Sequence, residues 1–337
     1  YNTSDDKNGE CTTPMESGAS GNCQIGDYMT HPAFLSIPST GFWAGKFETG
    51  YNGATSKEEA QNDTYEVNQI LIKPNTFSWT GMKMSNAHLN SYNYQRNLDS
   101  HMMKNTEWGA TVYLTYSVYG KNSKVRINNN LNYITGYQGN AEPTCGYTGT
   151  NEECNKYCND GTCNTAYPNS VLASTTGNIT GIYDMSGGAW DTVMTFMKNE
   201  GGKITIGRDH NNYTGFNGLF LVPVGDKNFF TDGIDLPEEK YYDVYNYNAS
   251  LQIYSERILG DATGEMGPFE KVMNTDIIER RISSWYRGYG DFIQPTYPMF
   301  LRGYTYYGGN TSEISAFAGN YRLAWGNQTF RVVLTPE

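Results

Sequence analysis

Cysteines are the residues of this chain whose spacing most directly suggests chemistry. The Cys-x8-Cys-x3-Cys-x4-Cys stretch has enough thiols for a zinc ion but contains no Cys-x2-Cys knuckle. Disulfide bonds are therefore the favoured prediction, with the two N-terminal cysteines paired and three connectivities open among the other four. The six cysteines are Cys11 and Cys23 in a Gly/Ser-rich leader, and Cys145, Cys154, Cys158 and Cys163 in an Asn/Gly-rich stretch.

Histidines and carboxylates form no catalytic pattern in the sequence. The four histidines contain no His-x3-His pair that would place two ring nitrogens on one helix face. Asp261 and Glu265 are the carboxylates most expected to lie together, and a loop turn or a weak cation site explains them as well as acid–base catalysis does. The histidines are His31, His88, His101 and His210.

Composition limits the class of protein. A net charge of -11 is unlike a nucleic-acid binder, which needs basic patches that displace counterions. The 28 Tyr and 37 Gly residues favour a folded, loop-rich domain, because disordered chains are poor in aromatic residues. No apolar run reaches the roughly 20 residues that span a bilayer. With Tyr1 first and no signal peptide, we expect a processed or trimmed extracellular product whose residues 1–30 are a leader or linker.

Periodicity predicts one clear helix among short strands. A strand is predicted at 41–48, with Trp43 and Phe47 on one face. The helix is expected to start at Asn105 or Thr106, either of which can cap it, and to stop at Gly120. Its buried face would carry Trp108, Val112 and Tyr116. Further strand-like segments are 181–185, 189–197, 203–206 and 330–334.

One segment has a recognisable motif: Gly181-Ile182-Tyr183-Asp184-Met185-Ser186-Gly187-Gly188-Ala189-Trp190-Asp191. It resembles the hallmark of formylglycine-generating-enzyme (sulfatase-modifying factor) domains. Segments 41–48, 105–110 and 330–334 are similar to other parts of that family, in the same order. The resemblance covers about residues 31–336 and implies an α+β, C-type lectin-like fold, loop-rich, with short antiparallel sheets and few helices. It implies one domain at 31–337 with a Cys-rich insertion at 138–168.

Two further phrases, 101–108 and 260–264, look closer to a branch of bacterial surface proteins with a prepilin-like N-terminal helix. That branch implies display on the bacterial cell surface, with membrane attachment only through an anchor absent from this chain. Relatives of the family can bind calcium through an Asn and a Glu of the hallmark, where this chain has Gly188 and Asp191. These substitutions lose one side-chain oxygen and shorten another, so no cofactor is expected, and calcium is the one alternative left open. The family's oxidases hold copper with a cysteine pair that 320–331 lacks, so we expect no enzyme.

The C-terminal stretch 302–327 carries the functional hypothesis. Its composition resembles that of antibody paratopes, since it is rich in Tyr, Ser, Gly and Asn and contains a Trp and an Arg. It also resembles the variable region of proteins diversified by retroelements. Arg302 and Arg331 are expected to have structural roles. The interpretation that competes with ligand binding is that the aromatic side chains of this stretch pack in the core. The predicted ligand-binding residues are Tyr304, Tyr307, Thr311, Ser315, Tyr321, Leu323 and Trp325.

The sequence thus predicts a non-catalytic adhesin or receptor that recognises a protein or glycan on another cell or phage. The first alternative is a pilin-like structural subunit of a surface filament, whose partners are other subunits. The second alternative is an oxidase of the formylglycine-generating type. No nucleic-acid partner is expected.

Overall fold

The computed structural model describes residues 31–35, 37, 41–139, 165–205, 230–231, 236–248, 253–254, 258–263, 265, 269–272, 280–283, 286, 288–294, 297–308, 311–320 and 324–335. These segments form a loop-rich α+β structure with helices α1 (Met84–Tyr94) and α2 (Asn105–Thr115). The strands are β1 (Trp43–Ala44), β2 (Gly50–Tyr51), β3 (Ile70–Leu71), β4 (His101–Met102), β5 (Trp190–Thr192), β6 (Thr195–Lys198), β7 (Ile204–Thr205), β8 (Phe230–Thr231), β9 (Asp243–Asn248), β10 (Ile253–Tyr254), β11 (Phe269–Val272), β12 (Arg280–Ser283), β13 (Tyr289–Gly290), β14 (Met299–Arg302), β15 (Phe317–Asn320), β16 (Gln328–Phe330) and β17 (Val332–Leu334).

The strands are grouped in four sheets. The largest has seven strands in the order β11-β12-β13-β15-β14-β5-β16. A second sheet has the order β10-β9-β6-β7-β8, a third the order β1-β17-β4, and β2 pairs with β3. The prediction of antiparallel sheets is wrong for the two largest, because β13–β15, β5–β16 and β6–β9 are parallel pairs.

The first predicted strand is shorter than expected. Strand β1 pairs with β17 and is followed by a bend at residues 46–47. The bend interrupts the alternation of faces, so Phe47 is buried while Trp43 is 71% exposed. The prediction that these two side chains share a face is therefore wrong.

Helix α2 starts where the sequence predicted, but its first N–H groups are bound by Glu107 of its own first turn and by the distant Asp243. The Lys104 N–H donates to Glu107 Oε2 at 2.9 Å, and the Thr106 N–H donates to Asp243 Oδ2 at 2.8 Å. Asn105 and Thr106 therefore do not cap it. The helix ends at Thr115, five residues before Gly120, and that glycine has no left-handed backbone.

The buried face of α2 is confirmed at Trp108 and Val112, which are fully buried, and Tyr116 is half-buried just after the helix. The same helix contains Gly109 at the point where the backbone of another loop approaches it closely. A Cβ atom there would be 2.2 Å from Gly260 O, so only glycine lets the loop at 258–263 reach the helix.

Helix α1 was not predicted, because its sequence shows little apolar periodicity. It buries polar residues beside Met84 and Ala87, including Ser85, His88 and Ser91. The same core cluster contains Trp79, whose indole N–H donates to Asn62 O at 3.1 Å.

Three predicted strands are divided or absent in the structure. Segment 181–185 is a turn, in which the Tyr183 N–H donates to Lys46 O and Asp184 has a φ of 61°. Segment 189–197 is split into β5 and β6, and 330–334 is split into β16 and β17. Trp190, Val193 and Phe196, which follow this turn, are buried.

The predicted leader and all six cysteines lie outside the described residues. The two ends of the predicted insertion are adjacent, because Gln138 and Thr165 exchange backbone hydrogen bonds of 2.9 and 3.2 Å. Among the described helices, none combines the length and apolar character needed to cross a membrane.

Candidate ligand-recognition surface

The hallmark motif forms a tight turn over a buried carboxylic acid. Gly187 and Gly188 have φ values of 78° and 73°, a left-handed backbone that glycine adopts without steric cost. A Cβ at Gly188 would lie 2.3 Å from Glu48 Oε1, so the glycine leaves room for that side chain. The Gly188 N–H donates to Asn128 O at 2.7 Å. The turn is thereby fixed to the segment that also binds Asp184.

Glu48 and Asp184 form a polar layer beneath this turn. Glu48 accepts from the Ala189 N–H at 3.0 Å and from the Ser78 hydroxyl. Asp184 accepts from the Gly136 N–H at 2.8 Å. Burial raises the pKa of Glu48 well above its ordinary value, and the neighbouring carboxylates raise it further. The neutral acid is therefore favoured, which suits a group sealed from water.

Asp191 belongs to a buried ion pair. Its Oδ2 lies 3.2 Å from Arg331 Nη2, and Arg331 also donates to Gly45 O at 2.8 Å and Tyr183 O at 3.1 Å. The predicted structural role of Arg331 is confirmed. Because Arg331 occupies one Asp191 oxygen and Gly188 has no side-chain oxygen, these residues do not fit a calcium ion, which requires six or more oxygens. Nowhere in the described part of the chain do three His, Cys, Asp or Glu side chains converge as metal ligands.

Asp261 lies in a second buried network. It accepts from the Tyr245 hydroxyl at 2.5 Å and from the Asn105 amide at 3.2 Å. Burial raises the pKa of Asp261 to about 7, and the charge of Glu265 contributes in the same direction. Arg302 donates to Asp261 O at 3.0 Å, which confirms that it is structural. Asp261 and Glu265 do lie together, as predicted, and the hydrogen bonds of Asp261 position the loop against α2.

Aromatic side chains from β5, β13 and the loop after β14 form a cluster. The Trp190 and Tyr304 ring centroids are 4.6 Å apart, and those of Tyr289 and Tyr304 are 4.9 Å apart. The ring centroids of Tyr304 and Tyr307 are 6.1 Å apart. Those of Tyr306 and Tyr307 are 5.0 Å apart, and these two rings are perpendicular. Tilted and edge-to-face contacts of this kind each contribute about 0.5–1.5 kcal/mol beyond the area they bury. The aromatic cluster is defined here as Trp190, Tyr289, Tyr304, Tyr306 and Tyr307.

Backbone geometry fixes the centre of the cluster. Tyr304 has a φ of 62°, and a Cβ at Gly308 would lie 1.9 Å from its ring atom Cδ1. The Tyr306 N–H donates to Gly188 O at 2.9 Å. The hallmark turn therefore holds the loop that carries the two outer tyrosines.

The predicted ligand-binding residues occupy different depths. Tyr304 and Ser315 are buried, so they support the surface from beneath instead of meeting solvent. Tyr307 and Thr311 are half-buried, and Trp325 is 43% exposed. Tyr321 and Leu323 lie outside the described residues.

The turn at 324–327 brings Trp325 into the neighbourhood of the cluster. The Asn327 amide donates to the Tyr307 hydroxyl at 3.4 Å. The carbonyl of Trp325 accepts from the Gly81 N–H at 3.1 Å and the Gln328 N–H at 3.0 Å. The exposed indole therefore projects from a turn that is hydrogen-bonded on two sides.

Sequence reasoning missed Gln328, which lies directly opposite Trp190 in the parallel β5–β16 pair. Its amide nitrogen Nε2 is buried and has no hydrogen-bond partner within the described structure. The alternation of side chains between the two faces of β16 was the only sequence pattern that could have indicated that Gln328 is buried. A comparison with protein-family models and with curated proteins finds no match to this chain.

Proposed function

We propose that this chain is a non-catalytic ligand-binding protein of the bacterial cell surface, with the C-type lectin-like fold of the formylglycine-generating-enzyme type. Its contact residues are Tyr306, Tyr307 and Trp325. Tyr321 and Leu323 are added to this set because they lie in the same C-terminal stretch of the sequence. One observation carries the proposal: Trp325 is exposed on a turn that Asn327 links to Tyr307, and Tyr307 rests on buried rings.

The physical reason is preorganisation. A ring held by buried neighbours loses little conformational entropy when a ligand covers it, so more of the contact energy appears as affinity. Tyr304 and Trp190 supply that support from beneath. The hydroxyls and amides of the surrounding Tyr and Asn residues provide hydrogen bonds for a protein or glycan.

The test is a glycan and protein array probed with wild type and with Tyr307→Ala/Trp325→Ala. Tyr119→Ala is the matched control, because Tyr119 is an exposed aromatic that lines a cavity containing none of the contact residues. The double variant is expected to lose binding by about a hundredfold, since truncating two aromatic hot spots removes a few kcal/mol. The control is expected to bind like wild type.

Equal array binding by wild type and the double variant would contradict the assigned surface. If the double substitution leaves array binding unchanged and abolishes association between copies of the chain, the filament-subunit alternative is favoured.

A further inference from the structure

A second surface of the molecule is unrelated to the aromatic cluster. A cavity of about 610 Å³ lies between residues 34–44, 110–120 and 175–182. We call it the α2 groove, since the C-terminal half of α2 forms one wall. Its volume is in the range of small-molecule and peptide sites. Its apolar walls are formed by Phe34, Ile37, Phe42, Leu114, Tyr119 and Ile182.

The threonines of the α2 groove offer few hydrogen bonds to a ligand. Thr111 and Thr115 donate to backbone carbonyls one helical turn earlier, at 3.0 and 2.7 Å. Thr176 and Thr180 both donate to Asn178 Oδ1, at 3.0 and 2.5 Å. A hydroxyl-rich ligand such as a sugar would lose its hydration here without finding these donors. The groove is therefore suited to apolar groups.

The rim extends the apolar surface beyond the cavity. Six of the ten large exposed apolar side chains in the described residues belong to its three segments. Val118 and Tyr119 are 81% and 84% exposed. Because Tyr119 lines the cavity and yet remains mostly in water, a partner larger than the cavity would cover more of it than a small molecule would. The six are Leu35, Trp43, Leu114, Val118, Tyr119 and Ile179.

The three segments that form the groove, with their flanking residues, are poor in acidic side chains. The chain has a net charge of -11, yet in residues 31–46, 105–126 and 171–182 the only acidic residue is Glu107. Glu107 is buried and paired with His101 at 2.9 Å. The same stretches contain four lysines and arginines, among which Lys46 donates to Ile179 O at 2.5 Å on the rim. The four are Lys46, Lys121, Lys124 and Arg126.

We propose that the α2 groove binds a segment of another polypeptide in which apolar side chains alternate with Asp or Glu. The apolar side chains enter the cavity and cover the rim, and the carboxylates face the basic residues beside it. The concave shape favours a protruding peptide over a flat lipid surface, which would leave the cavity unfilled.

The probe is a set of fluorescein-labelled synthetic peptides of Leu, Ile and Phe with Glu at varied spacing, titrated against the protein by fluorescence anisotropy. A matched set has Lys in place of every Glu. The Glu set is expected to bind more tightly, and the difference is expected to shrink as salt is added. Tyr119→Glu is expected to raise the Kd by about tenfold or more, because it removes an apolar contact and adds a repelling charge.

The matched control is Tyr65→Glu, an exposed tyrosine outside the groove that is expected to leave binding unchanged. Near-ultraviolet circular dichroism confirms that both variants are folded. Tyr307→Ala/Trp325→Ala is also expected to bind normally, since neither residue lines the groove. The proposal is overturned if no Glu peptide binds, if the two sets bind equally, or if Tyr119→Glu binds like wild type. Binding to phosphatidylglycerol vesicles in place of peptide would overturn it in favour of a lipid surface.

Discussion

Gly109 gives the sharpest test of how α2 is held, because local and tertiary physics predict opposite signs. In an isolated helix, Gly→Ala stabilises by about 1 kcal/mol. Here the new Cβ would lie 2.2 Å from Gly260 O and 2.5 Å from the Asp261 carbonyl carbon. Both contacts are with backbone, so no flexible side chain can move aside.

The opposing loop is itself fixed on its other side. A Cβ at Gly260 would be only 2.2 Å from Ala33 N, which shows how closely the 3₁₀ turn Pro32–Phe34 packs there. Asp261 is held by the Tyr245 hydroxyl at 2.5 Å. Overpacking against such a site costs about 1–3 kcal/mol. After the propensity gain, Gly109→Ala is expected to lower the free energy of unfolding by up to about 2 kcal/mol.

Urea denaturation followed by tryptophan fluorescence and far-ultraviolet circular dichroism measures this change. Gly201→Ala is the control, because Gly201 is exposed and a new Cβ there would come no closer than 3.4 Å to a neighbouring atom, Asn199 Oδ1. The control is expected to stay within about 0.5 kcal/mol of wild type. A Gly109→Ala protein with a raised urea midpoint would refute the close contact, because helix propensity alone would then decide the sign.

Two other predictions concern the hallmark turn and a buried ion pair. Gly188→Ala is expected to lower the free energy of unfolding by about 1–3 kcal/mol more than Gly53→Ala in urea, because both have positive φ but only Gly188 would meet Glu48. Burial lowers the pKa of His101, but the Glu107 charge and hydrogen bond raise it overall from 6.5. His101 therefore stabilises the fold below pH 6.5, and this contribution is lost as pH rises through the folded pKa. His101→Gln is expected to remove that decline in urea midpoints, and an unchanged pH profile would contradict it.

Parts of the fold were predictable because they depend on local pattern. The spacing of Trp108 and Val112 predicts one buried helix face, and the structure confirms it. Glycine occupies positions 187 and 188 because the turn requires a positive φ at both, so the turn is visible in the sequence. The capping of α2 by Asp243 was not predictable, because the two residues that meet are 137 positions apart in the chain.

The candidate site could be predicted only as a segment. Its tyrosines have no regular spacing, so sequence alone does not separate buried Tyr304 from half-buried Tyr307. Their depths are set by the backbone, where Tyr304 has a positive φ and Gly308 packs against its ring. The α2 groove was missed for a related reason, since its three walls come from distant parts of the chain.

The backbone hydrogen bonds between Gln138 and Thr165 affect how this protein can diversify. These two residues are adjacent in the described structure, so the stretch between them begins and ends at one point. Loop-closure entropy grows only with the logarithm of length. Descendants of this sequence can therefore lengthen or shorten the stretch between Gln138 and Thr165 at little cost in closure entropy, which makes this position suited to a grafted module.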